Sequence, residues 1–250
     1  MCLQINRSVV YLVVAGATFL GASSAQAIPP LQLYLEGATY DTETETWVLV
    51  MPGFSDGEPF RLWALGNIVG PGGHGPLDNV RLSVAYEAVD VAPIITFTPS
   101  TTGGYGGWLD PTTPDVPTFI QTVTDGSAPA LGILGDQGSL PSHGIFGPGT
   151  YWQEFRLGHF GETTSSVADV IGEFPLNPSQ TGGHINVYEN SVMAESDMIL
   201  HFDLYDTLYS NNHAKFAPFS HDAEIVPVPG AALLAMTGLG LAGIIRRRLP

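Results

Sequence analysis

The chain has 250 residues, with 24 acidic against 8 basic ones and a formal net charge of −16. That balance excludes the basic footprint on which nucleic-acid binding depends. The composition is 44% hydrophobic with 30 glycines and 20 prolines, so a sizeable core built from short elements is expected, not long helices.

Met1–Ala27 reads as a secretory signal peptide. Arg7 supplies the positive start, Val9–Ala22 the apolar run, and Ala25-Gln26-Ala27 the small-residue cleavage site, with Ala25 and Ala27 as the residues read. Cleavage makes Ile28 the first residue and removes Cys2, the single cysteine. The mature chain then relies on core burial, ions or partners and not on disulfides.

Residues 28–225 are expected to form one domain. All 24 acidic residues lie there, beside only Arg61, Arg81, Arg156 and Lys215, which gives that region 4 − 24 = −20 with histidines neutral. Alternating runs predict strands in chain order. Leu31, Leu33 and Leu35 alternate with Gln32 and Tyr34, and Thr46–Met51 and Phe60–Leu65 follow. Val80, Leu82 and Val84 alternate with Arg81 and Ser83, followed by Ile94–Thr98, Phe119–Val123, Tyr151–Phe160 and Ile185–Tyr188. Leu200, Phe202 and Leu204 then alternate with His201 and Asp203. Period-two segments divided by turn formers predict an all-β, antiparallel β-sandwich of jelly-roll-like form. A short helix is expected near Ser166–Ile171. Pro99–Pro117 and Gly135–Gly149 read as long surface loops. Tyr105 and Trp108 on the first are candidates for stacking on a sugar ring, weighed against rings that tuck back onto the sandwich.

Residues 226–250 read as a sorting tail. Pro227, Val228 and Pro229 form a Pro-x-Pro motif, residues 230–245 an uncharged helix, and Arg246, Arg247 and Arg248 a basic cap. At about 1.5 Å per residue the helix spans roughly 24 Å, short of a ~30 Å bilayer core but within reach of thinning and snorkelling. The arginines set its end in the cytoplasm and the domain outside. A permanent anchor is the alternative to a processed tail.

The layout Val226-Pro227-Val228-Pro229, short apolar helix and Arg246–Arg248 resembles the PEP-CTERM sorting signal of Gram-negative bacteria. The resemblance implies recognition by an exosortase, an integral-membrane cysteine protease-transpeptidase. The chain departs from the usual Pro-Glu-Pro by Val228. Four further segments resemble the exported proteins of the choice-of-anchor N family: Leu31–Tyr40 with Asp41–Thr44, Pro141–Phe146, Leu200–Tyr205 and Phe216–Glu224. That second resemblance implies surface display and brings no enzymatic activity with it.

Chemistry-bearing clusters are few. Glu195, Asp197, Asp203 and Asp206 lie close together, and His221, Asp222 and Glu224 precede the tail. Asp203, Asp206 and Asp222 are the candidates for Ca2+, with Asn211 and Asn212 as further oxygen donors. No EF-hand spacing occurs. The seven histidines make no HxH or HExxH pattern, so a zinc site would have to be assembled in three dimensions. No G-x-S-x-G elbow is present, and Glu87 with Asp90 or Glu154 with Glu162 are the carboxylate pairs a glycosidase reading would use. The expectation is a non-enzymatic exported surface or matrix protein. Its expected partners are an exosortase, the inner membrane transiently through the tail, and extracellular polysaccharide. A Ca2+-assisted carbohydrate-binding module is the first alternative and a glycan hydrolase the second.

Overall fold

The computed structural model describes residues 28–228 except 53, 55–56, 70–74, 102–113, 132–137, 142–144, 168, 172–181, 195–197, 207–214 and 217–220. Its strands are β1 (Leu31–Leu35), β2 (Thr39–Asp41), β3 (Thr46–Met51), β4 (Phe60–Gly66), β5 (Leu77–Glu87), β6 (Ile94–Ser100), β7 (Thr118–Val123), β8 (Thr150–Phe160), β9 (His184–Met193), β10 (Leu200–Asp206), β11 (Lys215–Phe216) and β12 (Ala223–Pro227). One sheet runs β1-β4-β9-β6. The larger runs β2-β3-β12-β10-β5-β8-β7, with β11 beside β10. Every run expected to be extended is a strand.

The two sheets face each other across a core of aliphatic and aromatic side chains. Leu33, Leu62 and Tyr188 come from the smaller sheet, and Leu82, Val84, Leu204 and Ile225 from the larger. Ring pairs bridge the layers. Phe60 meets Phe202 edge-on at 6.1 Å between centroids, Phe97 meets Phe155 at 4.7 Å, and Tyr34 meets Trp47 at 5.0 Å. Such pairs add roughly 0.5–1.5 kcal/mol each beyond their burial.

Four expectations are corrected. First, β1 is buried on both faces and does not alternate between core and water. Gln32 is held by the Val170 N–H, which donates to its Oε1 at 3.0 Å, and Tyr34 packs against Trp47 and Trp63. Second, the sandwich is not wholly antiparallel, because β12 pairs parallel to β3. Nearly the whole domain forms the crossover that such a parallel pair requires. Third, the stretch near Ser166–Ile171 is not a helix among its described residues. Asp169 Oδ1 accepts the Ile171 N–H at 2.9 Å, and that local bond closes a turn instead. Fourth, the Gly135–Gly149 segment is not exposed throughout among its described residues. Leu140, with Leu131, is buried against Tyr205 on the outer face of the larger sheet.

The domain also reaches further than residue 225. β12 continues in register to Pro227, which pairs with Met51, and the Val228 N–H donates to Met51 O at 2.6 Å. A proline is tolerated here because β10 pairs with β12 only as far as Ile225. The missing N–H therefore breaks no ladder bond on that side.

His184 ties the two sheets together at the start of β9. Its ring stacks on Phe160 of β8 at 4.5 Å and its Nδ1–H donates to Gly161 O at 3.0 Å. Burial holds its pKa below the ordinary value, outweighing the opposing bonds to Gly161 and Asn186. A depressed histidine pKa means that the neutral ring fits the fold. Its contribution is then complete above the unfolded value of about 6.5 and is lost as pH falls through the lowered folded value. Urea midpoints measured from pH 7.5 to 4.5 are expected to fall less steeply in His184→Gln than in the wild type. Parallel curves would remove His184 from the acid response.

Candidate metal centre

Strand β10 reads Leu-His-Phe-Asp-Leu-Tyr-Asp. Phe202 and Leu204 belong to the inter-sheet core, so the two-residue period turns His201, Asp203 and Tyr205 to the outer face. The antiparallel register sets His201 opposite Glu224 and Phe202 opposite Ala223, and one further step brings Asp222 opposite Asp203. Directly opposed side chains on such a pair have Cβ atoms about 4.5–5.5 Å apart. Four charged or chargeable groups therefore share one square of the sheet.

The distances follow. His201 Nε2 lies 3.6 Å from Asp203 Oδ1 and 3.9 Å from Asp222 Oδ2, while its Nδ1 faces Glu224 Oε2 at 3.5 Å. Asp203 Oδ2 accepts a hydrogen bond from Ser83 Oγ at 3.1 Å, reaching across from β5. The Trp47 N–H donates to Asp222 O at 3.1 Å and fixes the backbone just before β12. His201, Asp203 and Asp222 are all buried.

The electrostatics are those of opposed carboxylates around a cation. Burial alone would lower the His201 pKa. Hydrogen bonding to Asp203 and Glu224, with the charges of Asp203 and Asp222, overturns that and raises it to about 10. Burial pushes the Asp222 carboxyl well above its usual range. Asp203 pushes it further in the same direction, and His201 opposes the shift. The square draws positive charge, from a proton on His201 or from a metal ion.

A second polar group occupies the same outer face. Glu154 of β8 is buried. Its Oε1 accepts from Arg81 Nη1 at 2.8 Å and from Tyr205 OH at 2.7 Å, and its Oε2 accepts from Gln121 Nε2 at 2.8 Å. Burial, then the charge of Glu154, keeps the Tyr205 phenol well above its ordinary pKa.

Of the three Ca2+ candidates, Asp203 and Asp222 are brought together and Asp206 is not. Asp206 Oδ1 accepts the Asn79 N–H at 3.1 Å instead. A histidine, His201, stands beside these two carboxylates in the middle of the group. Of the carboxylates of the glycosidase reading, Glu154 is buried and Glu162 exposed, while Glu87 and Asp90 are both exposed. Tyr105, Trp108, Glu195, Asp197, Asn211, Asn212, Ala25, Ala27, Pro229, Arg246, Arg247 and Arg248 lie outside the described residues. No helix among the described residues is long and apolar enough to cross a membrane, and the run 230–245 also lies outside them.

His201 and Glu224 are the members of the square that sequence reasoning missed as partners. A signal was present. His201-x-Asp203 on one strand and Asp222-x-Glu224 on another are both period-two pairs, which put both members on one face.

No protein-family model matches the chain, and no curated protein matches it. Among solved structures, one similar chain belongs to the work described as "AvmM Catalyzes Macrocyclization in Alchivemycin A Biosynthesis". It is 10% identical at a TM-score of 0.31, with 81% of this chain and 92% of that one covered.

Proposed function

We propose that this is a non-enzymatic exported protein whose β-sandwich is displayed outside the cell as a component of an extracellular matrix. We read the sandwich as jelly-roll-like. Supporting that form, the chain passes between the two sheets repeatedly, from β1 to β3, β4, β5, β6, β8, β9 and β10. Delivery uses the signal peptide Met1–Ala27 and the tail 226–250, which an exosortase-type transpeptidase processes at the inner membrane.

The observation that carries this reading is the junction between domain and tail. The last strand of the sandwich ends at Pro227, inside the Pro-x-Pro motif, and Val228 is still tied to Met51. The address thus starts where the fold stops, with no linker between them. Proline fixes φ and restricts the residue before it, so Val226 and Pro227 are held extended at the end of β12, the shape a protease site grips. Processing beyond Val228 leaves every strand in place.

Replacing Arg246, Arg247 and Arg248 together with Ala tests the tail. Export is expected to continue while the tail stays on the protein, as read by blotting surface and membrane fractions for an epitope inserted directly after Ile245. Normal processing in that variant would contradict the topology.

A further inference from the structure

We infer that His201 Nε2, Asp203 Oδ1 and Asp222 Oδ2 together bind one divalent ion of the zinc class, which clasps the last strand of the sandwich to its neighbour. This goes beyond the export reading and does not depend on it.

The spacing fits an ion better than hydrogen bonds alone. The donor atoms stand 3.6 Å and 3.9 Å from the imidazole nitrogen, and all three lie within 4.8 Å of one another. Ligands of a tetrahedral ion with bonds of about 2.0–2.1 Å sit roughly 3.3 Å apart, so the two histidine edges close by about 0.3 and 0.6 Å and the Asp203–Asp222 edge by at most about 1.5 Å. Asp222 Oδ2 supplies an independent indication. Its side chain is 2% exposed, and the atom has no hydrogen-bond partner among the described residues. A buried carboxylate oxygen directed at an imidazole nitrogen beyond hydrogen-bond reach is placed for a ligand.

The outer groups orient the same three atoms. Glu224 faces the far nitrogen of His201, and Ser83 occupies the far oxygen of Asp203. Metal-binding histidines and carboxylates commonly hold their second atom in this way, which fixes ring and carboxylate orientation. The donor set also selects the ion. Ca2+ and Mg2+ take oxygen ligands, whereas a nitrogen with two carboxylates suits Zn2+, Co2+ or Mn2+. A divalent cation takes the place of the proton on His201 Nε2, which leaves to solvent, and neutralises the two carboxylates that face each other across the strand pair. Because the ligands come from β10 and from the residue just before β12, metal binding here adds to folding stability.

The test uses the full chain purified in detergent, freed of metal with EDTA and titrated with Zn2+, Co2+ and Ca2+. Zn2+ is expected to bind one per chain and to raise the thermal midpoint. Co2+ is expected to give a visible absorption band that Zn2+ displaces and excess Ca2+ does not. Asp222→Asn is expected to weaken Zn2+ by about 100-fold. Glu224→Gln keeps all three ligands and is expected to weaken it by about 10-fold. Glu224 is partly exposed, so that variant decides the matter should Asp222→Asn fail to fold. Absence of Zn2+ and Co2+ binding, preference for Ca2+, or wild-type Zn2+ affinity in Glu224→Gln and in any folded Asp222→Asn would overturn the inference.

Discussion

Ending the chain after Val228 is expected to leave the unfolding midpoint of the domain unchanged, whereas ending it after Asp222 abolishes cooperative unfolding. The five residues of β12, an interior strand between β3 and β10, lie between those cuts. Ala223 and Ile225 are fully buried, and Ile225 sits in the main core. Truncating one buried isoleucine costs about 2–5 kcal/mol on its own. Removing the strand also strips the ladder partner from β3 and from one side of β10, and detaches the β2–β3 hairpin from the sheet. Against a total stability of roughly 5–15 kcal/mol, that loss exceeds what the fold can absorb. Urea unfolding followed by tryptophan fluorescence reads the difference, since Trp47 lies directly beside Ala223. A cooperative transition in the shorter chain would mean that β12 is an accessory strand.

The second large effect is expected at Glu154. Its side chain is 1% exposed and faces an Arg81 that is 16% exposed. Glu154→Ala leaves that guanidinium, the Tyr205 hydroxyl and the Gln121 amide without their shared acceptor. Removing one partner of a buried ion pair costs about 3–5 kcal/mol, which in a domain of this size lowers the thermal midpoint by roughly 10 °C. The double variant Glu154→Leu with Arg81→Met is expected to regain much of the loss, because it also removes the unpaired charge. Differential scanning calorimetry of the three proteins decides it. A midpoint within about 2 °C of the wild type in Glu154→Ala, on a scale of ~2–4 °C per kcal/mol, would show that the pair contributes little.

How far the sequence could be read depended on how local each signal was. Alternation of apolar and polar residues is a property of a few neighbours, and it marked β1, β3 to β6 and β8 to β10 as well as the edge strand β7. β2 is only three residues long and β11 two, too short for a period to show. β12 was hidden by its composition. The prolines at 227 and 229 read as a tail, and only the register with Met51 reveals that Pro227 still belongs to the sheet. Burial of Gln32 and Tyr34 was equally invisible, because what covers them is Val170 in one case and Trp47 and Trp63 in the other.

The His201 square shows the same limit at a site. Asp203 and Asp222 could be named as ligand candidates from charge alone, but Asp206 was named with them. Strand parity and the pairing of β10 with β12 decide which carboxylates meet. Pairing between strands with a long intervening segment is set by the tertiary fold and is not written in either segment.

On the proposed route, export and tail processing would fix where the mature chain begins and ends, and intact-mass spectrometry of protein recovered from the cell surface and medium measures both. The expected mass starts at Ile28 and stops between Val228 and Gly230, with the sandwich complete through β12. A mass that retains residues 230–250 would contradict the exosortase route and make the apolar run a permanent anchor.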